Sequence, residues 1–322
     1  MFSETELREG AALVHAAMPP TPQFAWPMLA ARLGCEVWVK HENHTPTGAF
    51  KVRGGITFID WLKHEHPEAR GIITATRGNH GQSQARAAQL AGMTAVIVVP
   101  HGNSAEKNAA MRGFGAELVE HGSDFDEAKG EAMRLADVRG LYMVPAWHPE
   151  LVRGVASYAL ELFDHAGALD TVYVPIGCGS GICSVIAARD ALGLATEVVG
   201  VVSTGAMAAK TSFERGRIME TNRALTFADG IAVRVPVQAA FDHYSRGAAR
   251  IVAVDDDTIA EAMRIYWEDT HNLAEGAGAA ALAGLLMERD RMAGKRVGVI
   301  LTGGNIDRVH AAQVLSGYTP AP

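Results

Sequence analysis

Short apolar runs alternate with segments of helical periodicity along most of this chain. In its middle part, the apolar runs that predict strands lie at residues 71–75, 95–100, 117–119 and 141–144. The segments between them have apolar residues at helical spacing, at residues 81–91, 104–112 and 124–135. These strands are apolar throughout rather than at every second residue, which is typical of a parallel sheet covered by helices on both faces.

The same alternation continues on either side of this middle part. Further strands are predicted at residues 35–40, 171–176, 197–202, 250–254 and 296–301, and helices at residues 150–163 and 182–192. The acidic residues 255–257 suit the cap and first turn of another helix. Residues 214–247 are less periodic, and we expect loops and short helices there. The sequence predicts an α/β fold of two domains with open, mostly parallel twisted sheets flanked by helices.

Composition and charge exclude several classes of protein. The 322 residues can bury a large core, and a formal net charge of −7 argues against a nucleic-acid-binding surface. The N-terminus carries acids where a signal peptide would be positive, and no apolar run reaches membrane-spanning length. Three cysteines do not form a disulfide framework. We expect a cytoplasmic protein that binds neither nucleic acid nor a membrane.

Lys51 lies between a predicted strand and a predicted helix. It follows a turn that contains Gly48, and the apolar residues of segment 56–62 have helical spacing. A lysine at such a junction can lie at the edge of a cleft, where its amine is available for Schiff-base chemistry. The alternative is a solvated lysine that caps the turn, and this stretch alone does not separate the two.

A glycine-rich loop follows the predicted strand at residues 171–176 and precedes a predicted helix. It consists of Gly177, Cys178, Gly179, Ser180 and Gly181. Glycines let the backbone approach an anion closely, and free amides at a helix N-terminus bind that anion. A tight strand-to-helix turn also needs glycine without any ligand, so the spacing by itself is weak.

The anion that this loop predicts is a phosphate monoester rather than a dinucleotide. A dinucleotide fold has an acidic residue at the end of the next strand, where it binds the ribose. Here that strand ends in Ser203 and Thr204, without a carboxylate. A phosphate site and a reactive lysine in one α/β chain predict pyridoxal phosphate, which uses a lysine as its anchor.

Two further polar turns follow predicted strands. The first turn contains Thr76, Arg77, Gly78, Asn79 and His80. Its amides and side chains could bind a carboxylate and the hydroxyl of the cofactor ring. The second turn, at residues 302–305, directly follows the last predicted strand. Ligands of open α/β folds bind at the carboxyl edge of the sheet, so we expect these turns to form one rim. Each turn alone is also explained as a plain connection.

Taken in chain order, the four segments resemble the markers of the fold-type II pyridoxal-phosphate enzymes, specifically the serine/threonine dehydratase and serine racemase group. That group has a Gly-Ala-Phe-Lys-x-Arg-Gly segment, a Ser-Gly-Asn-His turn, a glycine-rich phosphate loop and, after the last strand, a Ser/Thr/Cys-Gly-Gly-Asn turn. The resemblance covers nearly the whole chain and implies a tryptophan synthase β-like fold. It also implies a large cofactor-binding domain, residues 1–70 and 149–322, and a small domain, residues 71–148, that closes over the active site.

The resemblance implies roles for single residues. Lys51 would form the Schiff base and take the α-proton, with Phe50 packed against the cofactor. Asn79 would bond the ring hydroxyl, residues 177–181 would hold the phosphate, and Thr302 would face the pyridine nitrogen. A hydroxyl at that nitrogen weakens the electron sink, which favours loss of a β-leaving group. Substrate binding would involve Thr76, Arg77, Gly78, Asn79 and His80.

The implied activity is that of a dehydratase, or ammonia-lyase, which converts a 3-hydroxy amino acid such as L-threonine or L-serine to a 2-oxo acid and ammonia by α,β-elimination. Arg77 occupies a position where the group usually has a serine. In the racemases of the group, that serine acts as the acid/base on the face of the substrate opposite the lysine. This departure favours elimination, and we expect Arg77 to bind a substrate carboxylate; a solvated arginine is the alternative.

Several alternatives stay open from the sequence. A racemase or a β-replacement synthase of the same fold is the nearest, and a non-catalytic phosphate-metabolite or nucleotide-binding module belongs to a different class. A dehydratase specialised for 3-hydroxyaspartate, 3-phenylserine or a hydroxyectoine-derived amino acid is also consistent with Arg77.

The resemblance suggests three further features. A homodimer is expected, and Asp229, in an Ala-Asp-Gly segment, resembles part of the group's divalent-cation site. Glu275 matches a position that the group commonly fills with glutamate, although it could be only a first-turn acid of the following helix. His41 and His80 receive no catalytic role, because a histidine in a turn is more often structural.

Overall fold

The strands form two separate sheets. The computed structural model describes residues 1–322. Its strands are β1 (Gln23–Ala25), β2 (Glu36–His41), β3 (Gly71–Ala75), β4 (Thr94–Val99), β5 (Glu117–Glu120), β6 (Tyr142–Met143), β7 (Thr171–Pro175), β8 (Glu197–Ser203), β9 (Arg250–Val254) and β10 (Arg296–Leu301). The first sheet has six strands in the order β1-β2-β10-β7-β8-β9, and the second has four in the order β5-β4-β3-β6. Only the pairing of β1 with β2 is antiparallel, so the predicted fold class is confirmed.

Helices cover the faces of both sheets. They are α1 (Glu4–Ala17), α2 (Pro27–Leu33), α3 (Lys51–Glu65), α4 (Asn79–Ala91), α5 (Ala105–Gly113), α6 (Phe125–Arg139), α7 (Pro149–Ala166), α8 (Ser180–Ala191), α9 (Ala208–Arg215), α10 (Gln238–Gly247), α11 (Asp256–Thr270), α12 (Gly276–Met287), α13 (Arg289–Met292) and α14 (Arg308–Leu315). Residues 214–247 contain the end of α9, a 3₁₀ turn at Asp229–Ile231 and α10, as expected. None of these helices combines the length and the hydropathy that crossing a bilayer requires.

The pattern analysis misses the N-terminal helix α1. Ser3 caps this helix, because its hydroxyl accepts a hydrogen bond from the amide of Glu6 and the Glu6 carboxylate accepts one from the amide of Ser3. A serine followed three residues later by glutamate is the sequence signal for such a reciprocal cap. The buried residues Leu7, Ala11 and Val14 then follow at helical spacing.

Helix α12 packs closely on the six-stranded sheet because it consists largely of glycine and alanine. A Cβ atom on Gly284 would lie 2.6 Å from Val201 Cγ2, and one on Gly278 would lie 2.2 Å from the carbonyl oxygen of Gly303. Larger residues could not approach the sheet this closely. The packing places the N-terminus of α12, where Glu275 lies, beside the carboxyl end of β10.

Helix α3 connects the two sheets. Its first residue, Lys51, follows a loop that is bonded to the end of β10 in the larger sheet. Farther along the helix, Phe58, Ile59 and Leu62 pack in the hydrophobic core of the smaller sheet. All strands of that smaller sheet lie between residues 71 and 143. The predicted domain boundaries and the closing motion stay predictions.

Candidate active site

The loop before Lys51 is bonded to the turn after β10. The amide of Phe50 donates to the carbonyl oxygen of Thr302 at 3.0 Å. Gly48 has a φ angle of 69°, and a Cβ atom there would lie 2.5 Å from Asn305 Oδ1, so this turn requires glycine. The first and last of the four predicted segments are therefore in direct contact.

One cavity brings three of the predicted segments together. Lys51, His80 and Ser180 line it, together with an apolar wall that includes Leu151. The Nζ atom of Lys51 lies 5.4 Å from the centre of the Phe50 ring. Lys51 is half-buried and lines this cavity rather than projecting fully into solvent.

The glycine-rich loop joins β7 to α8 with unused amides. The amides of residues 177–182 donate no hydrogen bond within the protein, and they lie at the N-terminus of a 12-residue helix. Gly179 has a φ angle of 98°, and a Cβ atom on Gly177 would lie 2.3 Å from the carbonyl oxygen of Gly230. Free amides at the positive end of a helix dipole are suited to bind a phosphate.

The polar turn before α4 presents a second set of free amides. The amides of Arg77 and of residues 79–81 donate no hydrogen bond within the protein, whereas the amide of Gly78 donates to Thr76 Oγ1 at 3.1 Å. The side chain of Arg77 is exposed and forms no hydrogen bond or ion pair. This turn therefore offers a carboxylate both free amides and an unpaired guanidinium.

Asn79 joins this turn to the larger sheet. Its Nδ2 atom donates to Glu275 Oε1 at 2.6 Å, and its Oδ1 atom accepts from Asn305 Nδ2 at 2.8 Å. The Glu275 side chain makes no capping bond to its own helix. Of the two interpretations of Glu275, the structure therefore supports contact with the site rather than a first-turn acid alone.

Thr302 lies at the carboxyl end of the central strand β10. Its buried hydroxyl donates a long hydrogen bond of 3.3 Å to the carbonyl oxygen of Ala277. A hydroxyl has two acceptor lone pairs and a rotatable proton, so this group can also meet a ring nitrogen.

Burial shifts the pKa of two groups in this region. It raises the pKa of Glu275 to about 7, against the opposing positive charge of Lys107. Burial, with the positive charge of Lys51, lowers the pKa of His80 to about 3. His80 is therefore neutral near pH 7, and its buried Nε2 atom has no hydrogen-bond partner in the protein.

A buried ionic cluster supports the first turn of α3, and the sequence analysis misses its role. The guanidinium of Arg53 donates to Glu42 at 2.7 and 2.9 Å and to Glu161 at 2.6 and 3.0 Å. Lys40 Nζ lies 2.5 Å from Glu161, and all four side chains are less than a tenth exposed. The positions of Glu42 and Glu161 in the sequence give no signal of this cluster, because the fold alone brings them together.

The structure gathers no set of metal ligands around Asp229. Its Oδ2 atom lies 3.1 Å from the Nζ atom of Lys107. No group of three or more histidine, cysteine, aspartate or glutamate side chains is placed to hold a metal ion. The assignment of Asp229 to a divalent-cation site therefore stays a prediction, and in the structure this carboxylate is paired with a lysine.

The residues around Lys51 fit pyridoxal phosphate. The loop at residues 177–181 has no room for larger side chains at Gly177 and keeps its amides free, as a phosphate requires. The Asn79 amide and the Thr302 hydroxyl provide polar groups for a heteroaromatic ring. The amine of Lys51 faces the same cavity as Ser180 of that loop.

Comparison with known proteins shows the family to which the chain belongs. The model of the family described as pyridoxal-phosphate dependent enzyme matches residues 14–303, and the chain belongs to that family. Its relatives place it more narrowly in the fold-type II group of serine/threonine dehydratases and serine racemases.

Two curated relatives and two solved structures illustrate this placement. The chain is 34% identical over 297 residues to the biosynthetic L-threonine dehydratase IlvA of Salmonella typhimurium, covering 91% of this chain but 58% of that protein. It is 30% identical over 303 residues to the L-threo-3-hydroxyaspartate ammonia-lyase of Saccharomyces cerevisiae, covering 94% and 93% of the two chains. The chain thus spans little more than half of the first of these relatives. The structure of the processed threonine deaminase isoform 2 of Solanum lycopersicum superposes with a TM-score of 0.89 at 28% sequence identity, and the match covers 98% of this chain and 95% of that one. The structure of maize serine racemase superposes with a TM-score of 0.90 at 25% sequence identity, and the match covers 98% of this chain and 97% of that one.

Proposed function

We propose that this chain is a pyridoxal-phosphate-dependent ammonia-lyase, which removes water from a 3-hydroxy amino acid and yields a 2-oxo acid and ammonia. One observation carries this proposal: two sets of free amides, at the N-termini of α4 and α8, adjoin the cavity that Lys51 lines. One set suits the phosphate of the cofactor and the other suits the carboxylate of an amino acid. The names of the relatives support a lyase of this kind.

Each predicted cofactor residue has a distinct task in this proposal. Residues 177–181 hold the phosphate, Asn79 bonds the ring hydroxyl, Phe50 packs against the ring and Thr302 faces its nitrogen. Once the substrate amine has displaced Lys51 from it, pyridoxal phosphate held at this site would withdraw electrons from the α-carbon of the amino acid, so that the α-proton becomes acidic.

The protein groups then determine which bond of the substrate breaks. The amides of Arg77 and of residues 79–81 fix the carboxylate, and the amine of Lys51 takes the α-proton on its own face of the substrate. The 3-hydroxyl group leaves and, together with the α-proton, makes up one water. The enamine that remains then hydrolyses to the 2-oxo acid and ammonia. The Thr302 hydroxyl, unlike a carboxylate, does not keep the ring nitrogen protonated, which favours expulsion of the leaving group over a persistent carbanion.

We propose L-threonine and L-serine as the first substrates to examine and 3-hydroxyaspartate as the specialised alternative. The unpaired, exposed guanidinium of Arg77 lies beside the free amides and could pair with a second carboxylate. The full-length similarity to a 3-hydroxyaspartate ammonia-lyase supports this alternative. A panel that adds 3-phenylserine and a hydroxyectoine-derived amino acid, assayed for ammonia release, identifies the substrate.

Replacement of Lys51 tests the proposed function directly. We expect Lys51→Ala to lose ammonia release and the visible absorption that the protein shows with pyridoxal phosphate. Lys63→Ala is the matched control, because Lys63 is an exposed lysine on the same helix. Unchanged absorption in Lys51→Ala would contradict the proposal, since another residue would then bind the cofactor.

The binding role of Arg77 is tested by Arg77→Ser. We expect a higher KM for an acidic substrate such as 3-hydroxyaspartate, and a smaller change for serine or threonine. An unchanged KM for every active substrate would show that Arg77 is only a solvated side chain.

A racemase is the second candidate, because maize serine racemase has closely similar architecture. Chiral analysis of serine after incubation with the protein separates the two activities. Replacement of the second-face serine by Arg77 favours the lyase. We further propose that residues 71–148 form a small domain that closes over the site of a cytoplasmic homodimer.

A further inference from the structure

The side chain of Asn79 has one orientation that satisfies its neighbours. Asn305 Nδ2 donates to the carbonyl oxygen of Thr47 at 2.7 Å, and a carbonyl can only accept, so this end of Asn305 is its nitrogen. The same nitrogen lies 2.8 Å from Asn79, which must present Oδ1 to it. Asn79 Nδ2 then donates to Glu275 at 2.6 Å. Its second N–H has no partner within the protein and remains available to a ligand.

The strength of this arrangement depends on the charge of Glu275. The side chain of Glu275 is buried, and Asn79 is its one hydrogen-bond donor. An ionised acceptor binds a donor roughly twice as strongly as a neutral acceptor. The charged groups around this carboxyl are Lys51 of α3, Lys107 of α5 and Asp229 of the 3₁₀ turn; the lysines favour its ionised form and Asp229 opposes it.

The positive charge of Lys107 acts on Glu275 from the side of the smaller sheet. Helix α5 follows β4 of the four-stranded sheet, whereas Glu275 precedes α12, which packs on the six-stranded sheet and on the 3₁₀ turn that contains Asp229. Lys107 Nζ lies 3.1 Å from Asp229 Oδ2 across this junction. The hydroxyl of Ser104, which caps α5, donates across the same junction to Asp307 at 2.5 Å. Docking of α5 therefore brings a positive charge to the buried carboxyl.

We propose that Glu275 is a positioning residue: its side chain holds Asn79 in the orientation whose free N–H is available to the ring hydroxyl of pyridoxal phosphate, and Lys107 adds a positive charge to this arrangement from the smaller sheet. This inference rests on the proposed function, because it requires the cofactor beside Lys51. It adds that cofactor affinity depends on a charge supplied by the smaller sheet.

Glu275→Gln provides the main test. Glutamine keeps the shape and one acceptor oxygen but cannot ionise. The pKa of Glu275 is raised to about 7, so the wild-type carboxyl is mostly ionised at pH 8 and mostly protonated at pH 6. We expect the Kd for pyridoxal phosphate in Glu275→Gln to be about tenfold higher than in wild type at pH 8, the difference between a charged and a neutral hydrogen bond. The ratio of the two Kd values should approach one at pH 6.

Lys107→Met provides a second test that leaves Glu275 in place. Removing the lysine raises the pKa of Glu275 further, so cofactor binding should weaken at pH 7 and recover at pH 9. In the Glu275→Gln background, Lys107→Met should change nothing, because the group on which Lys107 acts is absent. Lys129→Met is the matched control, since Lys129 is an exposed lysine of α6 without an ion pair.

The measurement is titration of the full-length apoprotein with pyridoxal phosphate, followed by visible absorption at each pH, with circular dichroism to verify folding. A pH-independent ratio of Kd values, or equal effects of Lys107→Met in both backgrounds, overturns the positioning role. If wild type binds the cofactor through Lys51 while both variants match it at every pH, only this inference fails. If wild type shows no visible absorption with the cofactor, the proposed function fails as well.

Discussion

Replacement of Arg53 by methionine should destabilise the protein strongly, although Arg53 does not line the cavity. Its guanidinium is completely buried and compensates the carboxylates of Glu42 and Glu161. Methionine keeps much of the apolar volume but removes every one of those hydrogen bonds. Lys40 then remains as the single buried cation against two carboxylates.

The magnitude follows from this uncompensated charge. Removing one partner from a buried ion pair costs about 3–5 kcal/mol, a large part of the roughly 5–15 kcal/mol that stabilises a folded domain. Arg8→Met is the matched control, because Arg8 also bonds two carboxylates, Glu4 and Asp164, but all three side chains are about half exposed. We expect that exposed arginine to contribute no more than about 1 kcal/mol.

The cost of Arg53→Met should also depend on pH and on Glu42. Burial raises the pKa of Glu161, but the charges of Arg53 and Lys40 outweigh burial and lower it overall. Because the pKa of Glu161 is lower in the folded protein than in the unfolded chain, where it is near 4.5, its ionised carboxylate stabilises the fold at pH values above 4.5. This stabilisation is lost as the pH falls through the pKa of Glu161 in the folded protein. Without Arg53 the Glu161 carboxyl accepts a proton more readily, so the difference from wild type should shrink as the pH falls below about 5.

Urea denaturation of the variants, with the cofactor concentration held constant, measures these free energies. Adding Glu42→Gln to Arg53→Met removes the excess negative charge, so the double variant should be more stable than Arg53→Met alone. A cost for Arg53→Met no larger than that for Arg8→Met, or an additive double variant, would refute the account of a charge-balanced buried cluster.

Three further predictions concern single positions. Gly130→Ala should raise the free energy of unfolding by about 0.5–1 kcal/mol, because this exposed position inside α6 has no atom within 4 Å of the added Cβ; a loss of stability in urea would contradict this. Gly177→Ala should weaken pyridoxal phosphate binding at least about tenfold, as read by titration, because the Cβ would lie 2.3 Å from Gly230 O; unchanged affinity would show that the loop is not the phosphate site. Asp255→Ala should lower the free energy of unfolding, measured in urea, by about 1 kcal/mol at neutral pH, because the Asp255 side chain accepts a hydrogen bond from the Thr258 amide at 2.8 Å. Its hydrogen bonds lower the pKa of Asp255 below the value of 3.8 in the unfolded chain. The stability difference between wild type and variant should therefore persist above pH 3.8 and vanish in strong acid.

The fold class and the segments that meet at the cavity could be predicted from the sequence alone. Strands that are apolar throughout indicate a parallel sheet, and the carboxyl ends of such strands share one edge. Lys51, the loop at residues 177–181 and the turn at residues 76–81 are each recognisable locally, because a strand-to-helix turn has a short-range signature in glycine and polar residues. The roles of the residues in these segments remain predictions that the variants above test.

The pairing of the buried charges, in contrast, depends on the tertiary structure. Arg53 meets Glu161 across 108 positions of the chain, and Asn79 meets Glu275 across 196. No local pattern records such pairings, since they depend on how α7 and α12 pack on the sheets. The same reason leaves the assignment of Asp229 a prediction: a carboxylate in a suggestive segment binds a metal only where the fold brings other ligands to it, and the fold places Lys107 beside this carboxylate.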